Sequence, residues 1–242
     1  INLINCGAKK VIGVDLDKTI FKRLNVIKKK VLKKNEYKLV VKIGSVLDLP
    51  FKREEFDFVL CQGVLHHTVK PLKGFKECYR VLKKGGRAYF QVAGKGGLVN
   101  EFVMSYLREM YKKNYKFKKF IKNLKKNSID KFLNQLIRNV KTGKKKHNIK
   151  SKQLLIGLKN LIDEDFILSL KDRVVSPIYN EYDYRELNLL LKNAGFKKIK
   201  RVYTKVQYSN LRNVFAFYYQ NPNLDISKFL YGSGSLNVIV SK

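Results

Sequence analysis

The sequence predicts an α/β fold in which a doubly wound, mostly parallel sheet is interrupted by an α-helical insertion. Three observations predict it. Short apolar runs alternate with helical periodicity over the first hundred residues, strand signals stop in the middle of the chain, and the alternation resumes near Tyr182. Because 45% of the 242 residues are hydrophobic, the chain can bury a sizeable core.

The first hundred residues alternate between predicted strands and helices with short connections, which favours parallel pairing. Residues 1–6 are predicted as the end of a helix that Gly7 closes, and the apolar run at 11–14 as a buried strand ending in Asp15. The other predicted elements are a helix at 18–34, strands at 39–43, 56–61 and 87–93, and a helix that starts at Pro71 and stops at Gly85-Gly86.

From Leu98 to about Ser176 only helical periodicity remains, so we predict an inserted helical segment. Beyond it, the predicted elements are a helix at 184–194 closed by Gly195, strands at 197–205 and 235–242, and a turn at Gly232-Ser233-Gly234. We therefore expect a core in residues 1–97, a basic helical insertion or lid in 98–176, and the C-terminal part of the core in 177–242.

The charge is strongly uneven along the chain. There are 52 Lys and Arg residues against 19 Asp and Glu residues, a formal net charge of +33. Residues 111–152 hold sixteen of the basic residues and one acid, Asp130, whereas an even spread would place fewer than six net charges in those 42 residues. This segment is a candidate surface for RNA or for an anionic membrane, although lysine-rich helix faces are also ordinary solvated surface.

Composition excludes several classes of protein. No apolar run approaches the roughly 18 residues of a membrane-spanning helix. The three cysteines, Cys6, Cys61 and Cys78, are scattered and odd in number, which argues against a disulfide framework and against a cysteine zinc site. We expect a cytoplasmic protein without a metal.

The sequence Gly13-Val14-Asp15 ends a predicted strand, and ligands of open α/β sheets bind beyond the carboxyl ends of strands. A carboxylate at that edge can accept hydrogen bonds from two neighbouring ribose hydroxyls. Alternatively, Asp15 or Asp17 caps the helix that begins near Lys18. The motif alone leaves both possibilities open.

Three further motifs follow in order: GSVLDLPF at 44–51, CQGVLHH at 61–67 and RVLKKGG at 80–86. Together they resemble class I S-adenosylmethionine-dependent methyltransferases, in particular the group similar to the ubiquinone/menaquinone-biosynthesis enzymes. The resemblance covers residues 1–97 and resumes at Ser176-Pro177 and at 193–196. It implies a Rossmann-like sheet, S-adenosylmethionine as cofactor and methyl transfer to an acceptor.

The resemblance also implies which residues form the site. Its cofactor-binding residues are Asp15 at the ribose, Leu16 on the adenine, Ser45 and Val46 at the adenine edge, and Cys61 and Gln62 near the transferred methyl. His66 and His67 would begin the substrate cleft, and His67 is the candidate general base because imidazole titrates near neutral pH. Independently of the resemblance, Cys61 also suits a small buried apolar position, and both histidines suit packing or capping.

The sequence departs from the family pattern at three places. The chain begins after the point where the family's glycine-rich loop would end, so we expect a core that lacks its first strand and that loop. Ser45 stands where the family usually has Asp, which leaves a weaker hydrogen-bonding group beside the adenine. Lys84 replaces the usual proline of the last motif, a change that we expect to be harmless.

Three functions remain in view. The leading one is a methyltransferase acting on a small-molecule acceptor, with the insertion as a lid whose aromatic residues, such as Tyr179, line the acceptor pocket. The second is an RNA methyltransferase that uses residues 111–152, whose binding would weaken steeply with salt. The third is a cofactor-binding or scaffold protein without catalysis.

Overall fold

The computed structural model describes residues 2–27, 38–140, 146–203, 205 and 207–242. The second half of the helix predicted at 18–34 lies outside the described residues, as do residues 141–145 of the basic segment. In chain order the elements are α1 (Asn2–Asn5), β1 (Val11–Asp15), α2 (Ile20–Ile27), β2 (Leu39–Ile43), β3 (Phe56–Gln62), α3 (Pro71–Val81), β4 (Leu82–Ala93), α4 (Ser105–Lys113), α5 (Tyr115–Asn123), α6 (Lys126–Asn139), α7 (Lys146–Leu161), α8 (Glu164–Val175), α9 (Tyr184–Asn193), β5 (Lys197–Arg201), α10 (Arg212–Gln220), α11 (Asp225–Tyr231) and β6 (Ser235–Ser241).

The strands form two sheets. β1 pairs in parallel with β2, with Val11 opposite Leu39 and Asp15 opposite Ile43. The other sheet has the strand order β3-β4-β6-β5, and within the described residues no hydrogen-bonded ladder joins the two sheets. The α/β class with a mostly parallel sheet, predicted from the alternation of apolar runs and helical periodicity, is confirmed.

The chain divides into two compact units. The first unit comprises Ile1–Phe90, Asn188–Lys200 and Ile239–Lys242, and the second comprises Gln91–Leu187 and Arg201–Val238. The division falls inside β4, β5 and β6. The three-part division expected from the sequence stays a prediction.

The first unit buries an aromatic cluster where α3, β4 and the end of α9 come together. The rings of Phe75 and Phe90 lie 5.0 Å apart, and Phe196 packs edge-on against Phe90 at 5.4 Å and against Tyr79 at 5.2 Å. Edge-to-face aromatic pairs stabilise a core beyond their buried area. Gly195 makes this possible, because its φ is +104° and a Cβ there would lie 2.9 Å from the Tyr79 ring.

The second unit is mainly helical. Tyr111 of α4, Ile121 of α5 and Val174 of α8 form a buried cluster. Side-chain caps start α5 and α8, where Asn114 accepts from the N–H of Phe117 and Asp163 accepts from the N–H of Phe166. None of the described helices is long and apolar enough to cross a membrane.

Several elements differ from the prediction. The helix from Pro71 ends at Val81 rather than at Gly85-Gly86, because Leu82 is already extended (φ −79°, ψ 134°) and begins β4. β5 ends at Arg201, four residues earlier than predicted. The long connection before β6 contains α10 and α11, neither of which the sequence predicted, and their apolar side chains are partly exposed, as Phe217 shows at 61%.

Candidate functional site

Asp15 and Ser45 lie at the same edge of the β1–β2 pair. Asp15 is the last residue of β1 and stands opposite Ile43, the last residue of β2. The N–H of Gly44 donates to the Asp15 carbonyl at 3.0 Å, which extends the ladder by one bond. Ser45 therefore follows directly at the carboxyl edge, where α/β sheets bind ligands.

The two aspartates after β1 have different roles. Asp17 accepts from the Thr19 N–H at 2.8 Å and from the Thr19 hydroxyl at 2.6 Å, immediately before α2. Asp15 accepts one hydrogen bond through Oδ1, from the Asp17 N–H at 2.9 Å. Among the described residues nothing donates to Oδ2 of Asp15. Asp17 thus holds the turn into α2, and one oxygen of Asp15 is available to a ligand.

The loop at 44–51 places Ser45 and Val46 beside Asp15. Ser45 Oγ accepts from the Leu47 N–H at 3.1 Å, and the Ser45 carbonyl accepts from the Asp48 N–H at 3.0 Å. This turn uses one acceptor lone pair of the Ser45 hydroxyl and leaves its proton available as a donor. Leu16, on the neighbouring strand end, is 71% exposed and presents an apolar surface.

A pair of charged side chains on α3 holds the far end of this loop. Arg80 donates to the carbonyl oxygens of Phe51 and Leu49 at 2.7 and 3.0 Å, and to both carboxylate oxygens of Glu77 at 2.8 and 2.7 Å. Glu77 in turn accepts from the Leu49 N–H at 2.8 Å. The hydrogen bond from Arg80 lowers the pKa of Glu77, so the carboxylate remains charged.

Sequence reasoning identified Arg80 only as part of a motif and missed Glu77. The available signal was their spacing of three residues on a helix, which places both on one face. We call Glu77 and Arg80, together with the backbone groups of Leu49 and Phe51, the loop clamp.

The end of β3 carries Cys61 and Gln62. Cys61 is 6% exposed, and its thiol lies beside the buried thiol of Cys78 on α3. The interaction with Cys61, together with burial, raises the pKa of Cys78 well above its usual range. The Cys61 side chain thus behaves as a small core residue, whereas Gln62 is exposed. Their assignment to the methionine side of the cofactor stays a prediction.

His66 and His67 lie on a short 3-10 turn, Leu65–His67, after β3. His66 is 5% exposed, His67 is half-buried, and their ring centroids are 4.0 Å apart. The turn packs tightly on α3, since a Cβ at Gly74 would collide with the Leu65 side chain. The more accessible His67 is the better placed of the two to meet a substrate.

The residues at the β1–β2 edge fit a nucleoside. Oδ2 of the half-buried Asp15, to which no described residue donates, suits a ribose hydroxyl, and the exposed Leu16 suits an adenine face. The Ser45 hydroxyl supplies a donor beside them. No cluster of metal-ligating side chains occurs within the part of the chain that the structure describes.

Comparison with known proteins identifies this part of the chain. Residues 2–90 match a family described as a methyltransferase domain. These residues are a methyltransferase domain. The class I assignment made from the motifs is thereby confirmed, and S-adenosylmethionine is the cofactor that it implies.

Curated relatives of the methyltransferase domain carry several names. The chain is 34% identical over 112 residues to an uncharacterized protein of Methanocaldococcus jannaschii, 33% identical over 85 residues to a tRNA U34 carboxymethyltransferase of Campylobacter hominis, and 30% identical over 91 residues to a ubiquinone biosynthesis O-methyltransferase of Pseudomonas entomophila. These matches involve 46%, 35% and 36% of this chain. The chain spans 46%, 28% and 38% of the relatives' own lengths, so it corresponds to less than half of each.

A solved structure has a similar fold over a longer range. The crystal structure of the (4+2)-cyclase SpnF aligns with 100% of this chain and 70% of its own chain, at a TM-score of 0.50 and 10% sequence identity. At that identity the likeness concerns the fold alone. It extends beyond the methyltransferase domain into the helical residues of the second unit.

Proposed function

We propose that this protein transfers a methyl group from S-adenosylmethionine to a small-molecule acceptor. The observation that carries the proposal is that Asp15 and Ser45 both lie at the carboxyl edge of β1 and β2, inside the residues that match a methyltransferase domain. The ubiquinone biosynthesis relative supports a small-molecule acceptor. Three free cysteines, two of them buried, suit a reducing compartment such as the cytoplasm.

Each residue at this edge has a role in the proposal. Asp15 accepts a hydrogen bond from a ribose hydroxyl, Leu16 covers one face of the adenine, and the Ser45 hydroxyl donates to the adenine edge. The loop clamp keeps the 44–51 backbone in place, so that the site needs little reorganisation when it binds. When bound, S-adenosylmethionine supplies an activated methyl on a sulfonium. The chain's own task is then to align the acceptor and exclude water.

His67 is proposed to accept a proton from an acceptor hydroxyl or carbon. Its position after β3 and its partial exposure support this role. The turnover number of His67→Ala, followed from about pH 6 to 9, tests it. We expect His67→Ala to have a lower turnover number, and we expect the increase of the turnover number with pH near neutrality to disappear. An unchanged profile would remove His67 from the mechanism.

The binding of S-adenosylmethionine itself is tested by calorimetry with two matched variants. Asp15→Ala removes the carboxylate proposed to hold the ribose, and we expect at least about tenfold weaker binding. Asp17→Ala removes the turn before α2, and we expect lower thermal stability with nearly unchanged affinity. Equal affinities for wild type and Asp15→Ala would contradict the site. Binding without methyl transfer to any acceptor would favour the non-catalytic alternative.

RNA is the second candidate substrate, because lysines and aromatic rings share one exposed surface. On α4 and α5 the lysines are exposed, and so are Tyr115 at 77% and Phe120 at 57%. The acids Glu109 and Asp130 are already paired with Lys113 and Lys126 at 2.6 Å. Lysines bind phosphates and exposed rings stack on bases, and one relative is named a tRNA U34 carboxymethyltransferase.

Salt dependence separates the RNA candidate from the first proposal. Binding of unmodified tRNA, measured from about 50 to 200 mM salt, should weaken steeply if several of these lysines contact phosphates. A variant with Lys116, Lys118 and Lys119 changed to Gln should then show a shallower slope. Flotation with anionic liposomes is the parallel arm for a membrane surface. Weak binding that does not change with salt, both to tRNA and to anionic liposomes, would leave the small-molecule acceptor as the proposal.

A further inference from the structure

A cluster of tyrosines surrounds one arginine in the second unit. The guanidinium of Arg173, on α8, lies 5.3 Å from the ring centre of Tyr219 on α10. The Tyr219 ring meets the ring of Tyr231 edge-on at 5.5 Å. Tyr179 and Tyr208 are also close enough to Arg173 to interact with its charge. We call Arg173 and these four tyrosines the Arg173 cluster.

Three other arginines of the second unit stack on tyrosines, and each has an acceptor. Arg201 lies over Tyr184 and Tyr203 and donates to the Ser233 carbonyl at 3.0 Å. Arg108 lies over Tyr179 at 4.7 Å and forms an ion pair with Glu181 at 3.3 Å. Arg212 lies over Tyr208 at 4.4 Å and donates to Asn210 Oδ1 at 3.2 Å. Arg173 differs, because no described residue forms an ion pair with it or accepts a hydrogen bond from it.

This arrangement leaves the N–H groups of Arg173 without acceptors among the described residues. A guanidinium carries five N–H groups and no acceptor, and Arg173 is half-buried. The hydroxyls of Tyr208, Tyr219 and Tyr231 make no hydrogen bond to the described residues either. A charged donor removed from much of its water needs a partner, and an oxyanion is the group that a guanidinium fork matches best.

Tyr179 and Tyr231 stay neutral at physiological pH, so they do not neutralise Arg173. Burial raises the pKa of Tyr179 to about 12 and also raises the pKa of Tyr231. Burial opposes the charge on Arg173, but interactions with the neighbouring tyrosines outweigh burial and raise the arginine pKa. Near neutral pH the cluster therefore holds one positive charge and several hydroxyl donors.

An open cleft adjoins this cluster through Tyr179. The cleft has a volume of about 600 Å³ and is lined by residues of α4 and of 176–180, including Arg108, Lys112, Lys113 and Tyr179. Its single acidic residue, Glu109, is paired with Lys113. The lining holds three basic side chains and one acidic side chain, and an excess of positive charge in a cleft favours anionic ligands.

We propose that the Arg173 cluster binds an oxyanion, a carboxylate or a phosphate. The guanidinium pairs with two oxygens of the anion, and a tyrosine hydroxyl donates to it. The proposal assigns the second unit an anion-binding role that is independent of its lysine-rich surface and of the proposed methyl transfer.

Probe ligands test the cluster directly on the whole chain. Binding of benzoate and of its neutral analogue benzamide is measured by ligand-observed NMR at constant ionic strength, with inorganic phosphate as a competitor. We expect benzoate to bind at least about tenfold tighter than benzamide. Arg173→Gln should remove this preference. Arg138→Gln, which removes the same charge from an exposed position on α6, should preserve it.

Two further variants keep the test decisive if Arg173→Gln does not fold. Arg173→Lys keeps the charge without the fork and should retain only part of the preference for benzoate. Tyr219→Phe keeps the ring without the hydroxyl and should weaken benzoate a few fold. Displacement of benzoate by phosphate would extend the site to phosphates, and failure to displace it would restrict the site to carboxylates.

Three results would overturn the proposal: equal binding of benzoate and benzamide by the wild type, an undiminished preference in a folded Arg173→Gln, or an equal loss in Arg138→Gln. Binding of S-adenosylmethionine, measured on the same preparations, separates the two proposals. Anion binding at Arg173 without cofactor binding would sustain the cluster and remove methyl transfer. Binding of S-adenosylmethionine without a preference for benzoate would remove the proposed anion site and leave the proposed methyl transfer standing.

Discussion

The two units hold their functional loops in opposite ways. In the first unit, the 44–51 loop is fixed by charged side chains, because Arg80 and Glu77 take up the polar groups of Leu49 and Phe51. In the second unit, residues 231–234 are fixed by backbone against backbone. The N–H of Ser233 donates to the Lys95 carbonyl at 2.8 Å, and a Cβ at Gly94 would collide with the carbonyl of Gly234.

This difference determines whether an arginine side chain in each unit is used to hold a loop or can bind a ligand. Arg80 uses its guanidinium to hold structure, with its donors directed at two carbonyls and one carboxylate. Arg173 is not needed for that purpose, since glycine packing already positions Tyr231 beside it. A side chain with satisfied donors stabilises the fold, whereas one with unsatisfied donors is available to a ligand.

The largest effect should come from the glycine packing of the second unit. We expect Gly94→Ala to lower the free energy of unfolding by about 3 kcal/mol, because a backbone oxygen cannot move aside as a flexible side chain can. Gly157→Ala is the matched control, since nothing lies within 4 Å of a Cβ at that position in α7. It should raise stability by up to about 1 kcal/mol. Similar urea midpoints for both variants would contradict the claim that tight backbone packing at Gly94 stabilises the second unit.

The loop clamp should give the next largest effect. Arg80→Met removes the side chain that donates to two backbone carbonyls and to the Glu77 carboxylate. It leaves Glu77, whose side chain is 15% exposed, without its cation. We expect the free energy of unfolding to fall by about 2 kcal/mol. Lys83→Met removes an ion pair to Asp57, a side chain that is 87% exposed, and should leave the melting temperature unchanged. Equal melting temperatures for the two variants would mean that the clamp does not stabilise the loop.

Acid should weaken the same clamp. The pKa of Glu77 is lowered in the folded chain, chiefly by its hydrogen bond with Arg80. Its contribution is therefore fully present above the pKa of an unfolded glutamate, about 4.3, and is lost as pH falls through the lower folded value. We expect the stability difference between wild type and Glu77→Gln, followed by urea unfolding, to shrink by about 1 kcal/mol from pH 6 to 3. A constant difference over that range would contradict the charged clamp.

The contrast between the units also explains what the sequence could predict. β1 and β2 were predicted at their observed bounds, because apolar runs between turn residues depend on local pattern alone. The position of Asp15 could be predicted from the end of β1. The loop clamp could not be predicted, because Arg80 donates to carbonyls that are 29 and 31 residues away along the chain. Contacts of that range depend on the tertiary fold.

The helical unit was harder to predict for a related reason. α10 was missed because exposed apolar residues such as Phe215 and Phe217 blur the one-sided pattern of an amphipathic helix. Tyr179 was noted only as one aromatic residue among several. The sequence around Arg173 does not predict a binding role, because that role depends on whether the fold places hydrogen-bond acceptors near its guanidinium. Unsatisfied donors are visible only once the neighbours are placed.

The smallest effect should come from Arg173, and it is the sharpest test of the comparison. Arg173→Met loses one stacking contact with Tyr219 but also removes a half-buried charge that has no described counter-ion. These two changes oppose each other, so we expect the free energy of unfolding to stay within about 1 kcal/mol of wild type. Arg80→Met, measured beside it by urea unfolding, should cost clearly more. If Arg173→Met proved as destabilising as Arg80→Met, Arg173 would be a structural residue whose guanidinium is already satisfied, and the second unit would hold its loops as the first unit does.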